Sequence, residues 1–321
     1  MAKVLLTGAT GFVGSTLLAR LKIQSGIQVV VTTRKDALEA DVNTAVVGDI
    51  DGATDFSVAL GDTDIVIHCA ARAHIMSDEV IDPLVEYRRV NVAGTLNLAR
   101  QAAKYGVKRF IFISSIKVNG ESTTSKPKFN AFDMPAPLDP YGQSKAEAEQ
   151  ALIDLARETS MEVVIIRPPL VYGPAVKANF LSLFSVVSRG IPLPFACIRN
   201  NKRSLVSVTN LVDLIVTCID HPKAANQIFL VSDDYDVSTS EMVREMATAL
   251  GKPTWQIPVP VWCYALVGKL FRKSDIVDRL TGTLQIDITH TKETLDWTPK
   301  QTLPEGFKQT AVVFLQSKSS R

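Results

Sequence analysis

Short continuous apolar runs alternate with stretches of helical periodicity through the first half of the chain. The runs read "KVLLTG" (3–8), "QVVVTT" (28–33), "TAVVGD" (44–49), "DIVIHCA" (64–70), "RFIFISS" (109–115) and "EVVIIRP" (162–168). They are apolar nearly throughout, which predicts strands buried on both faces. Between them, amphipathic stretches such as "AGTLNLARQAAKYG" (93–106) supply helical crossovers. Together they predict an α/β fold with a doubly wound parallel sheet. After Pro168 the regularity fails, as in "RPPLVYGP" and "GIPLPF". Residues 1–173 are therefore expected to form the sheet domain and 174–321 mainly a smaller C-terminal one. A segment near 205–235, with a strand at "QIFLVSD" (227–233), is expected to return to the sheet domain. The tail "QSKSSR" is expected to fray. "VPVWCYALVGKLF" (259–271) is apolar but contains Lys269. It falls short of the roughly 20 residues of a membrane span, so it predicts a buried helix or a lid.

Composition narrows the partners more than the fold. Among 321 residues, 35 are basic and 33 acidic, for a net charge of +2. No block of like charge suggests a nucleic-acid or membrane surface. The strand pattern starts at Lys3 and leaves no room for a signal peptide, so a cytoplasmic protein is expected. Cys69, Cys197, Cys218 and Cys263 are scattered among apolar neighbours and read as reduced thiols. His68, His74, His221 and His290 form no ligand pair at helical spacing, so no metal site is expected.

The first chemical signal is "TGATGFVG", with Gly8, Gly11 and Gly14 between a strand and a helix. Such glycines let backbone approach a pyrophosphate, and the helix N-terminus attracts its charge. That is the signature of a Rossmann dinucleotide fold, with Phe12 and Val13 among the expected cofactor contacts. Asp49 and Ile50 close the third strand, where the adenine is expected; Asp49 reads equally as a helix cap. Ala70 and Ala71 end the fourth strand, where small residues let a cofactor pass. Pro168, after the sixth, completes the expected set. An acid usually follows the second strand to bind a ribose hydroxyl, yet here stand Arg34 and Lys35. Arginine attracts the 2′-phosphate, so NADP(H) is favoured and NAD(H) remains possible. The alternative is a pair of solvated loop charges.

A second signal lies at "LDPYGQSKAEAEQAL" (138–152). Asp139 suits an N-cap and Pro140 the first helical turn. Tyr141 and Lys145 then share one helix face. The lysine ammonium is expected to lower the tyrosine pKa, so that the pair exchanges a proton with a substrate oxygen. Ser115, ending the fifth strand, is placed to hold that oxygen. Asn91, in "NVAGT", is expected to begin a helix, either orienting Lys145 through water or simply capping.

These stretches, with "GDI", "HCAA", "SSIKVNG", "RPPLVYGP" and "LQIDITHTKETLDWTPKQTLPEGF", resemble the extended short-chain dehydrogenase/reductases of the NAD-dependent epimerase/dehydratase family. The resemblance spans nearly the whole chain. It implies a catalytic Ser115–Tyr141–Lys145 triad and a nucleotide-sugar substrate. It also implies diphosphate contacts from Asn179 and Arg203, with Lys117 beside the substrate and a homodimer possible. The family's dehydratases carry Asp-Glu where Ile116 and Lys117 stand, so dehydration is not expected. The resemblance is strongest to a bacterial surface-polysaccharide branch. There the expected reaction is NADPH-dependent reduction of a UDP-4-keto-6-deoxy-N-acetylhexosamine. The alternative is a UDP-glucose or UDP-N-acetylglucosamine 4-epimerase, and the second alternative a hydroxysteroid- or flavonoid-type reductase.

Overall fold

The computed structural model describes residues 1–35, 42–72, 82–176, 178–271 and 274–319. Among the described residues ten strands follow in chain order: β1 (Ala2–Thr7), β2 (Ile27–Thr33), β3 (Asn43–Val46), β4 (Ile65–His68), β5 (Arg109–Ile113), β6 (Glu162–Arg167), β7 (Leu170–Tyr172), β8 (Arg203–Ser207), β9 (Gln227–Leu230) and β10 (Asp236–Val237). Seven form one parallel sheet in the order β3-β2-β1-β4-β5-β6-β9. The order reverses after β1, which opens a crevice at the carboxyl ends of β1 and β4. A second sheet runs β10-β8-β7.

The period of two explains the continuous apolar runs. Val4, Leu6, Ile111, Ile113, Val164 and Ile166 join the core on one face, with Leu17 and Leu211 from the covering helices. Leu5, Phe110, Phe112, Val163 and Ile165 join the core on the other, with Leu98 and Leu152. Neither face meets water, so polar alternation has no place. A third cluster holds Tyr172, Phe180, Phe184 and Phe307 together. Gly306 is needed there, because a Cβ would lie 2.6 Å from the Tyr172 hydroxyl.

Three expectations are corrected. The stretch around Asn91 is a π-helical segment, Arg88–Gly94, continuing into the α-helix Thr95–Lys104. The tail is helical within Leu303–Ser319: Phe314 is buried, and the Lys318 ammonium donates to Ser188 Oγ over 2.9 Å. Arg321 and its neighbour at 320 lie outside the described residues. The apolar stretch forms the helix Val261–Leu270, which buries only Gly268 while Trp262, Leu266 and Leu270 are exposed, and this corrects the buried-helix alternative alone. Gly268 seats Val277 of the helix Ser274–Thr281; a Cβ there would meet Val277 Cγ2 at 2.7 Å. Among the described residues, no helix is long and apolar enough to cross a membrane.

Candidate active site

The crevice is built by close backbone approach. Gly8 has φ +74°, and a Cβ on it would lie 2.6 Å from the Ala70 nitrogen. A Cβ on Gly14 would lie 2.1 Å from the Gly8 oxygen. The helix Phe12–Lys22 starts at Gly11 with no side-chain cap. A bare helix N-terminus beside glycine backbone fits the pyrophosphate of a dinucleotide. Thr7 Oγ1 accepts from the Ala70 nitrogen at 3.2 Å, so the ends of β1 and β4 are joined around this cradle. Ile50 is half-buried, and a Cβ on Gly94 would lie 2.8 Å from its Cγ2. Arg34, Lys35 and Asp49 are exposed at the ends of β2 and β3. Asp49 caps no helix; its carboxylate lies 3.8 Å from the Arg34 guanidinium.

Asp139 and Pro140 start the helix Pro140–Glu158 as expected, with Asp139 Oδ1 accepting from the Gly142 nitrogen at 2.6 Å. Lys145 is buried, and its ammonium donates to the Ile113 carbonyl at 2.9 Å. The same ammonium lies 4.3 Å from the centre of the Phe112 ring. Burial lowers its pKa to about 8, opposed by the charge of Glu149. The phenol of Tyr141 is pushed up, first by burial, then by the Asp139 carboxylate and by Tyr87, whose ring centre lies 5.9 Å away. The expected lowering by Lys145 is therefore corrected: the ammonium's bond goes to Ile113, and desolvation dominates the phenol.

Ser115 is extended and its Oγ accepts from the Lys117 nitrogen at 3.3 Å. The next nitrogen, of Ile116, donates to the Pro168 carbonyl at 2.9 Å, tying the ends of β5 and β6. Asn91 is buried and caps nothing. Its Oδ1 accepts from the Arg72 nitrogen at 2.8 Å, and its Nδ2 donates to the Arg72 carbonyl at 3.1 Å and to Ser144 Oγ at 3.0 Å. The Lys117 ammonium is held by Asp139 and, at 3.0 Å, by Glu121. Arg203 is half-buried; its Nη1 donates to the Arg279 carbonyl at 2.9 Å. Asn179 falls in the helix Ala178–Val187, and its side chain lies outside the described residues.

Comparison with known proteins decides the family. The model of the NAD dependent epimerase/dehydratase family matches residues 4–232. This chain belongs to that family. The UDP-glucose 4-epimerase of Vibrio cholerae is 65% identical over 98% of this chain and 96% of its own. Among solved structures, a UDP-glucuronic acid 4-epimerase from Bacillus cereus in complex with NAD aligns at TM-score 0.79 and 21% identity, covering 98% of this chain and 99% of its own. A UDP-glucose 4-epimerase from Thermotoga maritima with UDP-glucose aligns at TM-score 0.77 and 24% identity, covering 98% and 99%. Both show the fold.

Family membership makes the chain a short-chain dehydrogenase/reductase-type enzyme. The expected reaction is corrected. A relative 65% identical over almost the whole chain is a 4-epimerase, which favours the alternative over reduction of a 4-keto sugar.

Sequence reasoning missed two features of this family member. His68 is buried between Thr7 Oγ1 at 2.7 Å and Thr95 Oγ1 at 3.0 Å. Burial, then the Lys145 charge, lowers it to about 3, so it is neutral. Arg167 and Glu149 form a buried ion pair at 2.5 Å. Ser114 Oγ donates to Glu149, and Arg167 Nη1 donates to Asn119 at 2.9 Å. Glu149 stands four residues after Lys145, on the same helix face. That spacing was the available signal for Glu149; Thr7 and Thr95 meet His68 only in three dimensions.

Proposed function

We propose that this chain is a UDP-hexose 4-epimerase that interconverts UDP-glucose and UDP-galactose with a retained NAD. One observation carries the reading: Tyr141 and Lys145 lie one turn apart beside the end of β5, in a chain 65% identical to a UDP-glucose 4-epimerase. NAD held at the Gly8, Gly11 and Gly14 turn would supply reversible hydride transfer at sugar carbon 4. Tyr141 removes the proton from the carbon 4 hydroxyl and later restores it. Ser115 holds that oxygen by hydrogen bonding. Lys145, fixed by Ile113, stands one turn along the same helix face from the phenol. Losing a proton and a hydride leaves a 4-keto sugar; the configuration inverts when the hydride returns to its opposite face. No reductant is consumed.

Asn91 serves as a positioning residue, through Ser144. Asn179 and Arg203 belong to this reading as diphosphate contacts, and 174–321 as the mainly substrate-binding part. Gly8, Gly11, Phe12, Val13, Gly14, Ile50, Ala70, Ala71 and Pro168 line the cofactor. Arg34 and Lys35 would meet a 2′-phosphate, but Asp49 opposes Arg34 with an anion. A hydride that returns each turnover also needs no NADPH pool, so the reading takes NAD. A nucleotide-sugar substrate suits the cytoplasm.

The test supplies UDP-glucose and follows UDP-galactose by NMR alongside absorbance of reduced cofactor. Interconversion without net change in reduced cofactor is expected. Absence of interconversion for UDP-glucose and for its N-acetyl counterpart would sink the reading.

A further inference from the structure

Asp139 uses both carboxylate oxygens. Oδ1 accepts from the Gly142 nitrogen and starts the helix that carries Tyr141. Oδ2 accepts from the Lys117 ammonium. A carboxylate cap is a good helix start, but here it leaves a negative charge two residues from a phenol that must carry one. Lys117 lies in the turn Ile116–Val118, immediately after Ser115, and its nitrogen donates to Ser115 Oγ at 3.3 Å. The turn and the helix touch directly: a Cβ on Gly142 would lie 2.9 Å from the Lys117 carbonyl. One side chain thus links the segment of Ser115 to the start of the helix of Tyr141.

We propose that Lys117 is a positioning residue for proton transfer: bonded to the outer oxygen of the Asp139 cap, it clamps the Ser115 turn to the Tyr141 helix and offsets the cap's charge at the phenol. This rests on Tyr141 being the proton carrier of the epimerase reading above.

Other groups around the phenol are already accounted for. Tyr87 packs edge-on from the helix Pro83–Tyr87. Arg88, in the π segment, is paired with Glu147 at 2.6 Å. Lys145 donates to Ile113, with Glu149, paired to Arg167, one turn further. His68 and Cys69, near Lys145, are neutral, because burial lowers one to about 3 and raises the other to about 12. Asp139 is the anion that raises the phenol, and Lys117 is the cation bonded to it. Glu121 shares that lysine at 3.0 Å.

The experiment titrates Tyr141 by ultraviolet difference spectroscopy against Tyr141→Phe in the NAD-loaded enzyme, alongside the pH dependence of kcat. Lys117→Met should move both titrations upward by about one pH unit, a tenfold loss of phenolate below the midpoint. The KM for UDP-glucose should be unchanged. Adding Asp139→Asn should bring the titration back down, because asparagine still caps the helix but carries no charge. Lys117→Arg should behave like wild type, which separates the charge from a folding defect. An unmoved titration in Lys117→Met, or a double variant that stays high, overturns the proposal. So does a raised KM with normal kcat, which would make Lys117 a substrate contact. The spectroscopic titration needs no turnover, so a chain lacking epimerase activity would fail the earlier reading and leave this one separately tested.

Discussion

Asn91 Nδ2 donates to Ser144 Oγ over 3.0 Å, and that hydroxyl donates in turn to the Tyr141 carbonyl at 2.8 Å. The π-helical segment and the helix Pro140–Glu158 are thereby joined behind the proposed proton carrier. A π turn widens the helix locally, and such turns gather at functional sites. Here it carries an asparagine whose amide oxygen and nitrogen both bond the backbone of Arg72, in the loop after β4. Asn91→Ala should therefore leave buried groups at Arg72 and Ser144 without their partner. A loss of about 1–3 kcal/mol in unfolding free energy is expected, read from urea midpoints, with a lower kcat. An unchanged midpoint would mean that water replaces the amide.

Gly8→Ala tests the cradle. The position is left-handed and the new Cβ would meet backbone of Cys69 and Ala70. Strain of about 1–3 kcal/mol is expected, with NAD affinity reduced at least about tenfold by calorimetric titration. Normal affinity would show that the cofactor does not use this turn.

Tyr141→Phe removes only the hydroxyl proposed to carry the proton. Turnover should fall by about 10²–10⁴-fold while NAD binding persists. Near-normal turnover would assign the proton to another group.

Breaking the buried pair should be costly. Glu149→Gln leaves Arg167 as an uncompensated buried charge, and about 3–5 kcal/mol of stability should be lost. A double variant, Glu149→Leu with Arg167→Met, should recover much of that loss. Equal losses in both would show that the polar network, not the stranded charge, carries the stability.

Lys145 makes a signed prediction for pH. Its folded pKa is about 8, against 10.5 for the unperturbed side chain. Between those values the unfolded chain holds more protons than the native one, so stability from this group rises with pH. Below about 8 both states are protonated and the desolvation cost is fully present. Urea midpoints from pH 7 to 10.5 should show this rise, at most about 1.4 kcal/mol per pH unit, and Lys145→Met should flatten it. An identical slope in the variant would remove Lys145 as its source.

Much of this molecule was legible in one dimension. Strands β1 to β6 were found because a strand covered on both faces has no polar alternation to hide it. The glycine cradle was legible because steric exclusion at Gly8 and Gly14 admits no side chain. Asp139, Pro140, Tyr141 and Lys145 were placed correctly on their helix because capping chemistry and helical period are local rules. Tertiary structure decided what those side chains touch. Lys145 bonds to Ile113 rather than acting first on the tyrosine, because packing against β5 puts that carbonyl within reach. Lys117 faces Asp139, 22 residues away, because the turn after β5 meets the helix start. His68 finds Thr7 and Thr95, and Arg167 finds Asn119, only because parallel strands bring separate segments to one edge. Local periodicity and backbone sterics are written in neighbouring residues. Desolvation and long-range pairing depend on which segments fold against one another.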